Sequence, residues 1–206
     1  MKYQAIVLGG GKGNRANLGY NKILFKMKDG RTVLEKSCSI FFEDEDCEKV
    51  VVVLNENCPF LNAKMIQTSG GENRYDSVMN GLKYVDSEYV LIHDGARPFV
   101  TKEDIDKLKN SLLNEDGAIL VNKTVDTIKI VKDGYIIETP DRAYLYNALT
   151  PQGFKTEVLK KAYEEVNLTG ITDDASVLAK TGRKVKIVEG DVRNIKLTNE
   201  ADFSLL

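Results

Sequence analysis

Apolar and polar positions in this chain keep two rhythms. Compact apolar runs at Ala5 to Leu8, Lys49 to Leu54, Glu88 to His93, Gly117 to Val121 and Lys184 to Val188 predict strands. Between them, Thr32 to Phe42, Arg74 to Val85, Lys102 to Leu113, Gln152 to Val166 and Asp173 to Lys180 predict helices, and the last residues a short helix. Val78, Leu82 and Val85 fall on one face of the second helix; Ile105, Leu108 and Leu112 fall on one face of the third, with Thr101 as its cap and Asp104 three residues on. Strands alternating with helices predict an α/β fold built on one mostly parallel sheet with flanking helices. The rhythm breaks once. Thr124 to Ile130, Asp133-Gly134 and Tyr135 to Glu138 read as strand, turn and strand, a hairpin inserted as an arm at about 122–143.

Composition narrows the partners. The 206 residues suffice for one domain, 1–206, with that arm appended, and contain no repeat or linker. A net charge of −2 argues against a nucleic-acid partner, which selects a basic face. No 18-residue apolar run or signal peptide is present, so the expectation is a cytoplasmic protein without a membrane partner. Cys38, Cys47 and Cys58 lack metal-site spacing and read as reduced, packing thiols.

The first strand runs straight into Gly9, Gly10, Gly11, Lys12, Gly13, Asn14 and Arg15, with Lys22 seven residues later. Glycines let backbone N–H groups close on an anion, and Arg15 and Lys22 add charge suited to a triphosphate. Gly11, Gly13 and Ala16 also match a dinucleotide turn, but residues 16–21 oppose a helix and the expected acidic residue is misplaced. A tight turn without a ligand is the plainer alternative.

Other clusters lie where strands meet loops. Gly70-Gly71-Glu72-Asn73-Arg74 with Ser77 is either a capped helix start or a set of free N–H groups and a hydroxyl for a ligand. Asp94, at a strand end in His93-Asp94-Gly95-Ala96-Arg97-Pro98, suits Mg²⁺, or simply pairs with Arg97. His93, the single histidine, reads as a structural hydrogen bonder. Arg142 follows the arm and either reaches a neighbouring subunit or is solvated. Thr172-Asp173-Asp174-Ala175-Ser176 is an adequate helix cap, whereas Lys196 between Ile195 and Leu197 is odd as solvent decoration.

These motifs in order, G-G-x-G-x-R with its lysine, G-G-x-x-R-x-x-S-V, H-D-G-A-R-P, V-D-T, the arm's D-R, T-P-Q, T-D-D-A-S and N-I-K-x-T, resemble the 2-C-methyl-D-erythritol 4-phosphate cytidylyltransferase family over almost the whole chain. The resemblance implies a Rossmann-like domain, a homodimer through the hairpin arm, Mg²⁺, and CTP with a sugar-alcohol phosphate as substrates. It further implies that Gly9, Gly10, Gly11 and Gly13 wrap the CTP phosphates while Arg15 and Lys22 stabilise charge on the α-phosphate. Gly71, Glu72 and Ser77 would contact cytidine, and Asp94 would sit beside the metal and the sugar phosphate. Thr127 and Arg142 of the partner subunit, with Arg97, Thr150 and Lys196, would position that phosphate. The sequence departs from the family at Asn21 and Ile23, where proline and glutamine are usual, and at Gly9-Gly10, usually alanines. The related ribitol-5-phosphate cytidylyltransferases and a nucleotide-binding dimer without catalysis are the competing readings; an NAD-linked oxidoreductase fits less well.

Overall fold

The computed structural model describes residues 1–10 and 21–205. Nine strands and five α-helices appear among them: β1 (Tyr3–Leu8), α1 (Val33–Glu43), β2 (Cys47–Val53), β3 (Met65–Thr68), α2 (Arg74–Leu82), β4 (Tyr89–Asp94), α3 (Lys102–Leu112), β5 (Gly117–Lys123), β6 (Ile130–Lys132), β7 (Tyr135–Glu138), β8 (Tyr146–Lys155), α4 (Thr156–Glu165), α5 (Asp174–Lys180) and β9 (Lys186–Glu189). Seven strands form one sheet in the order β3-β2-β1-β4-β8-β5-β9. Only β8 runs antiparallel to its neighbours.

The central strands read as unbroken apolar runs because both their faces are covered. Val50 and Val52 point toward the layer of α1 and α3, where Leu34, Phe41, Ile105 and Leu108 pack. Val51 and Val53 point the other way, toward Val78 and Leu82 of α2 and Leu159 and Tyr163 of α4. The α3 cap forms as the sequence predicts: the Asp104 N–H donates to Thr101 Oγ1 at 3.1 Å, and the Thr101 N–H returns to Asp104 Oδ2 at 3.2 Å.

The prediction of a helix from Gln152 to Val166 is corrected. Residues through Lys155 belong to β8, and α4 begins at Thr156. Proline and glycine at 151 and 153 mask the strand, since a proline has no N–H for a ladder. Pro151 is tolerated because the β5–β8 register shifts there: Ile119 pairs with Gln152, and Val121 already pairs with Ala148. The short edge strand β3, with one exposed and three half-buried positions, lies in a stretch where the pattern predicts no element. The expected strand over Thr124 to Ile130 is also corrected, because pairing in the arm starts only at Ile130. The turn itself is as read, with Asp133 and Gly134 at φ 51° and 84°, both left-handed, as a tight two-residue hairpin requires.

Candidate active site

The carboxyl ends of β1 and β4 lie side by side, which is where open α/β sheets hold ligands. A cleft of about 370 Å³ opens there, with Arg74, Asp94, Arg97, Thr150, Asp173 and Lys196 in its wall. Asp94, only 8% exposed, closes β4. Its Oδ2 accepts an ion pair from Lys196 Nζ at 2.7 Å and faces Arg97 Nε at 3.8 Å, while Oδ1 faces Arg74 Nε at 3.7 Å. Burial alone would raise this carboxyl, but the surrounding cations, Lys196 foremost, hold it well below the usual carboxylate range. Asp94 is therefore held in its carboxylate form.

Lys196 is placed by its neighbours. The Leu197 N–H donates to the Ala96 carbonyl at 2.9 Å, and the buried Leu197 packs with Val33. That anchors the segment over the turn after β4 and aims the ammonium inward. Arg97 is clamped through Nη1 to the Asn194 carbonyl at 2.8 Å, and the Asn194 side-chain amide donates to the Thr150 carbonyl at 2.8 Å.

A short hydrogen-bond chain ties His93 and Thr150 to the same turn. The Asp94 N–H donates to Thr150 Oγ1 at 3.0 Å, Thr150 Oγ1 meets His93 Nδ1 at 3.1 Å, and His93 Nε2 meets the Arg97 carbonyl at 3.0 Å. A carbonyl only accepts, so Nε2 carries the hydrogen and Nδ1 accepts from the threonine hydroxyl. The imidazole is neutral, structural and spent as a base. Burial pushes it down to about 4. In the unfolded chain it titrates near about 6.5. Between those values the unfolded state binds a proton that the native state does not, so stability that is full above about pH 6.5 is lost on acidification, by about 3 kcal/mol at pH 4. Urea melts across that window should show this loss, and His93→Gln should flatten it; an unchanged slope in the variant would remove His93 from the account.

The opposite wall contains groups to which the sequence reading gives no role beyond helix capping. Arg74, the first residue of α2, donates Nη1 and Nη2 to Asp174 Oδ1 and Oδ2 at 3.0 and 2.8 Å. Asp174 has no exposed surface. Gln152 Oε1 accepts the backbone N–H groups of Asp174 and Ala175 at 3.1 and 3.0 Å, and Gln152 Nε2 donates to Asp173 Oδ2 at 3.0 Å. Asp173 is the α5 cap, accepting the Ser176 N–H at 3.1 Å. The cap reading of this motif was sound but incomplete. Its second aspartate serves an arginine 100 residues away, a pairing that no local pattern signals.

Beyond the end of β1 and ahead of α2, Gly9, Gly10, Gly70 and Gly71 form a glycine wall in which a Cβ on Gly10 would stand 3.4 Å from Gly70 Cα. The Gly9 N–H donates to the Val53 carbonyl at 2.8 Å and the Gly71 N–H to Ser77 Oγ at 3.0 Å. A Cβ on Gly71 would stand 2.2 Å from Asp76 Cβ, so only glycine fits. Glu72 is exposed. Lys22 opens a 3₁₀ turn, Lys22–Leu24, next to this wall: Asn21 Nδ2 donates to the Gly9 carbonyl at 2.9 Å, and the buried Ile23 holds the turn from behind. Gly11, Gly13 and Arg15 lie outside the described residues.

Thr127 and Arg142 do not join the cleft within one chain. Both are exposed near the base of the arm, where Arg142 Nη1 donates to the Val125 carbonyl at 3.3 Å. Among the described residues no cluster of three or more histidine, cysteine or carboxylate side chains gathers to hold a metal. A divalent ion here would depend on oxygens supplied by substrate.

Three cations and two carboxylates, Arg74, Arg97, Lys196, Asp94 and Asp174, thus form a connected, mostly buried set beside a glycine wall. Such a rigid set presents Lys196 and Arg97 to the cleft, a geometry suited to orienting phosphate groups.

A model of the 2-C-methyl-D-erythritol 4-phosphate cytidylyltransferase family matches residues 3–206. The protein of that name from Geobacillus kaustophilus is 40% identical over 216 residues, covering 98% of this chain and 94% of that one. A crystal structure of the Francisella tularensis 2-C-methyl-D-erythritol 4-phosphate cytidylyltransferase superposes with a TM-score of 0.88 at 27% identity, covering 100% of this chain and 98% of the other. The structure of 4-diphosphocytidyl-2C-methyl-D-erythritolsynthase from Anaerococcus prevotii does so with a TM-score of 0.85 at 30% identity, covering 99% and 93%.

Proposed function

The chain belongs to the 2-C-methyl-D-erythritol 4-phosphate cytidylyltransferase family, and from that premise we propose how its own residues divide the work of cytidylyl transfer. The reaction moves CMP from CTP to 2-C-methyl-D-erythritol 4-phosphate, a step of isoprenoid biosynthesis. A phosphate oxygen of the sugar attacks the α-phosphorus, the bond from that phosphorus to the bridging oxygen breaks, and pyrophosphate leaves with the electron pair. The attacking phosphate is already an anion near neutral pH, so no general base is required. This agrees with His93 being neutral and bonded at both nitrogens.

The observation that carries the reading is the Asp94 cluster standing against the glycine wall. Gly9 and Gly10, with Gly11 and Gly13, take the triphosphate; Gly71, Glu72 and Ser77 take the cytidine end; Arg15 and Lys22 meet the charge that develops at the α-phosphate. Lys196, its side chain 37% exposed and facing the cleft, meets the sugar phosphate together with Arg97 and Thr150. The residues present fit Mg²⁺ in one way. Asp94 is held as a carboxylate by its neighbouring cations, and can offer an oxygen to an ion that otherwise binds substrate oxygens and water. Bound there, the ion would neutralise phosphate charge.

The arm supplies the second half of the proposal. Val131, Tyr135, Ile136 and Ile137 are all more than half exposed on a two-stranded ribbon, and a lone hairpin with apolar faces is marginal in water. Pairing with the same arm of a second copy covers it, giving a cytoplasmic homodimer, and brings Thr127 and Arg142 of the partner subunit to the sugar phosphate. Mixing Arg142→Ala chains with Lys22→Ala chains tests this. One site of each mixed dimer then has both groups, so pyrophosphate release from CTP, methylerythritol phosphate and Mg²⁺ should return to about a quarter of wild type on random exchange. Excess chelator should stop it. No recovery despite demonstrated exchange would place Arg142 outside its neighbour's site.

A further inference from the structure

Arg74 faces the cleft, yet the division of work above gives it no substrate group to meet. Its guanidinium presents one edge, Nη1 and Nη2, to both oxygens of the fully buried Asp174, and turns Nε toward Asp94 Oδ1 at 3.7 Å. Asp174 is held in turn by the Tyr163 hydroxyl, and its backbone N–H is held by Gln152. An arginine committed at two points to a buried carboxylate has its charge matched and its orientation fixed. Its Nε edge is turned to Asp94.

We propose that Arg74 is a positioning residue: locked by Asp174, it fixes the Oδ1 side of Asp94 so that Oδ2 stays with Lys196 and the carboxylate keeps one orientation toward the sugar phosphate. The proposal rests on the cytidylyl-transfer reading. The three cations around Asp94 then differ in kind. Lys196 faces the cleft and meets ligand; Arg97 is clamped to the chain after Ile187 by the Asn194 carbonyl; Arg74 ties the start of α2 to α5 across the site. Partners of this kind, which orient a group that itself meets ligand or metal, typically contribute about 10–100-fold.

The single change Arg74→Met leaves Asp174 buried without its counter-ion and risks misfolding, so the test uses the neutral pair Arg74→Met with Asp174→Asn. Wild-type turnover with CTP and methylerythritol phosphate is measured first; its absence would overturn the reading on which the proposal rests, and the proposal with it. With wild type active, the pair should fold, lose about 10–100-fold in kcat/KM for the sugar phosphate, and keep its KM for CTP within about twofold. Introduced into Asp94→Asn, the same pair should lose less than about threefold, because the group that it positions is already gone. Wild-type kcat/KM in the pair, an equal loss on the Asp94→Asn background, or a rise in CTP KM that accounts for the whole loss would each overturn the assignment.

Discussion

Lys22→Ala is expected to lower kcat by about 10²–10³-fold while leaving the fold and the KM for CTP nearly unchanged. The local structure explains why the fold should survive. The turn that presents Lys22 is held by its neighbours: Asn21 bonds the Gly9 carbonyl, and Ile23, 3% exposed, packs beneath the first strand's exit. Removing the ammonium touches neither. Lys22 does help to hold the Asp202 carboxyl below its usual value, after the backbone N–H groups of Asn199 and Thr198, an attraction of the kind that contributes little to stability. A cation fixed where charge develops acts on the transition state more than on bound CTP, so the loss belongs in kcat. A raised KM with unchanged kcat would move Lys22 to ground-state binding.

The same turn shows what the departures from the family pattern do. Asn21 sits at φ −66°, an angle proline also adopts, and replaces ring stiffness with hydrogen bonds from its side chain. A Cβ on Gly9 would stand 2.6 Å from Ile23 Cδ1, so an alanine at position 9 would require the tip of the Ile23 side chain to move.

Much of the architecture is legible because it is written in local patterns. The central apolar runs, the Thr101 cap and the Asp133-Gly134 turn each depend on residues within a few positions of one another. The strand β8 is not legible, since its Thr150-Pro151-Gln152-Gly153 core looks like loop until the register shift opposite Val121 makes room for the proline. The site divides the same way. Asp94 at a strand end and Lys196 between two apolar residues stand out locally, and the structure brings them to 2.7 Å. The Arg74–Asp174 clamp and the Gln152 amide are tertiary facts, created by packing α2, α5 and β8 together, and neither residue type is unusual where it stands in the chain. Arg142 is a further case, because its proposed task needs a second chain.

Selectivity for the sugar should be large. The cleft wall has little freedom to adapt: Arg97 is bonded to the Asn194 carbonyl, Arg74 to both oxygens of Asp174, and Thr150 Oγ1 to the Asp94 N–H and His93. Such a wall has few ways to rearrange for the longer, unbranched carbon chain of ribitol phosphate. Ala148 and Leu149 are the apolar residues of the cleft lining. Sites that hydrogen-bond substrate hydroxyls discriminate by as much as about 10⁴, so a preference of at least about 100-fold in kcat/KM for methylerythritol phosphate over ribitol phosphate is a modest demand on this one.

The most direct measurement is therefore the initial rate of pyrophosphate release from CTP and Mg²⁺ with each of the two sugar phosphates in turn. The account predicts rapid release with 2-C-methyl-D-erythritol 4-phosphate and a kcat/KM at least about 100-fold lower with ribitol 5-phosphate; comparable rates with both, a preference for ribitol phosphate, or no release with either would contradict it.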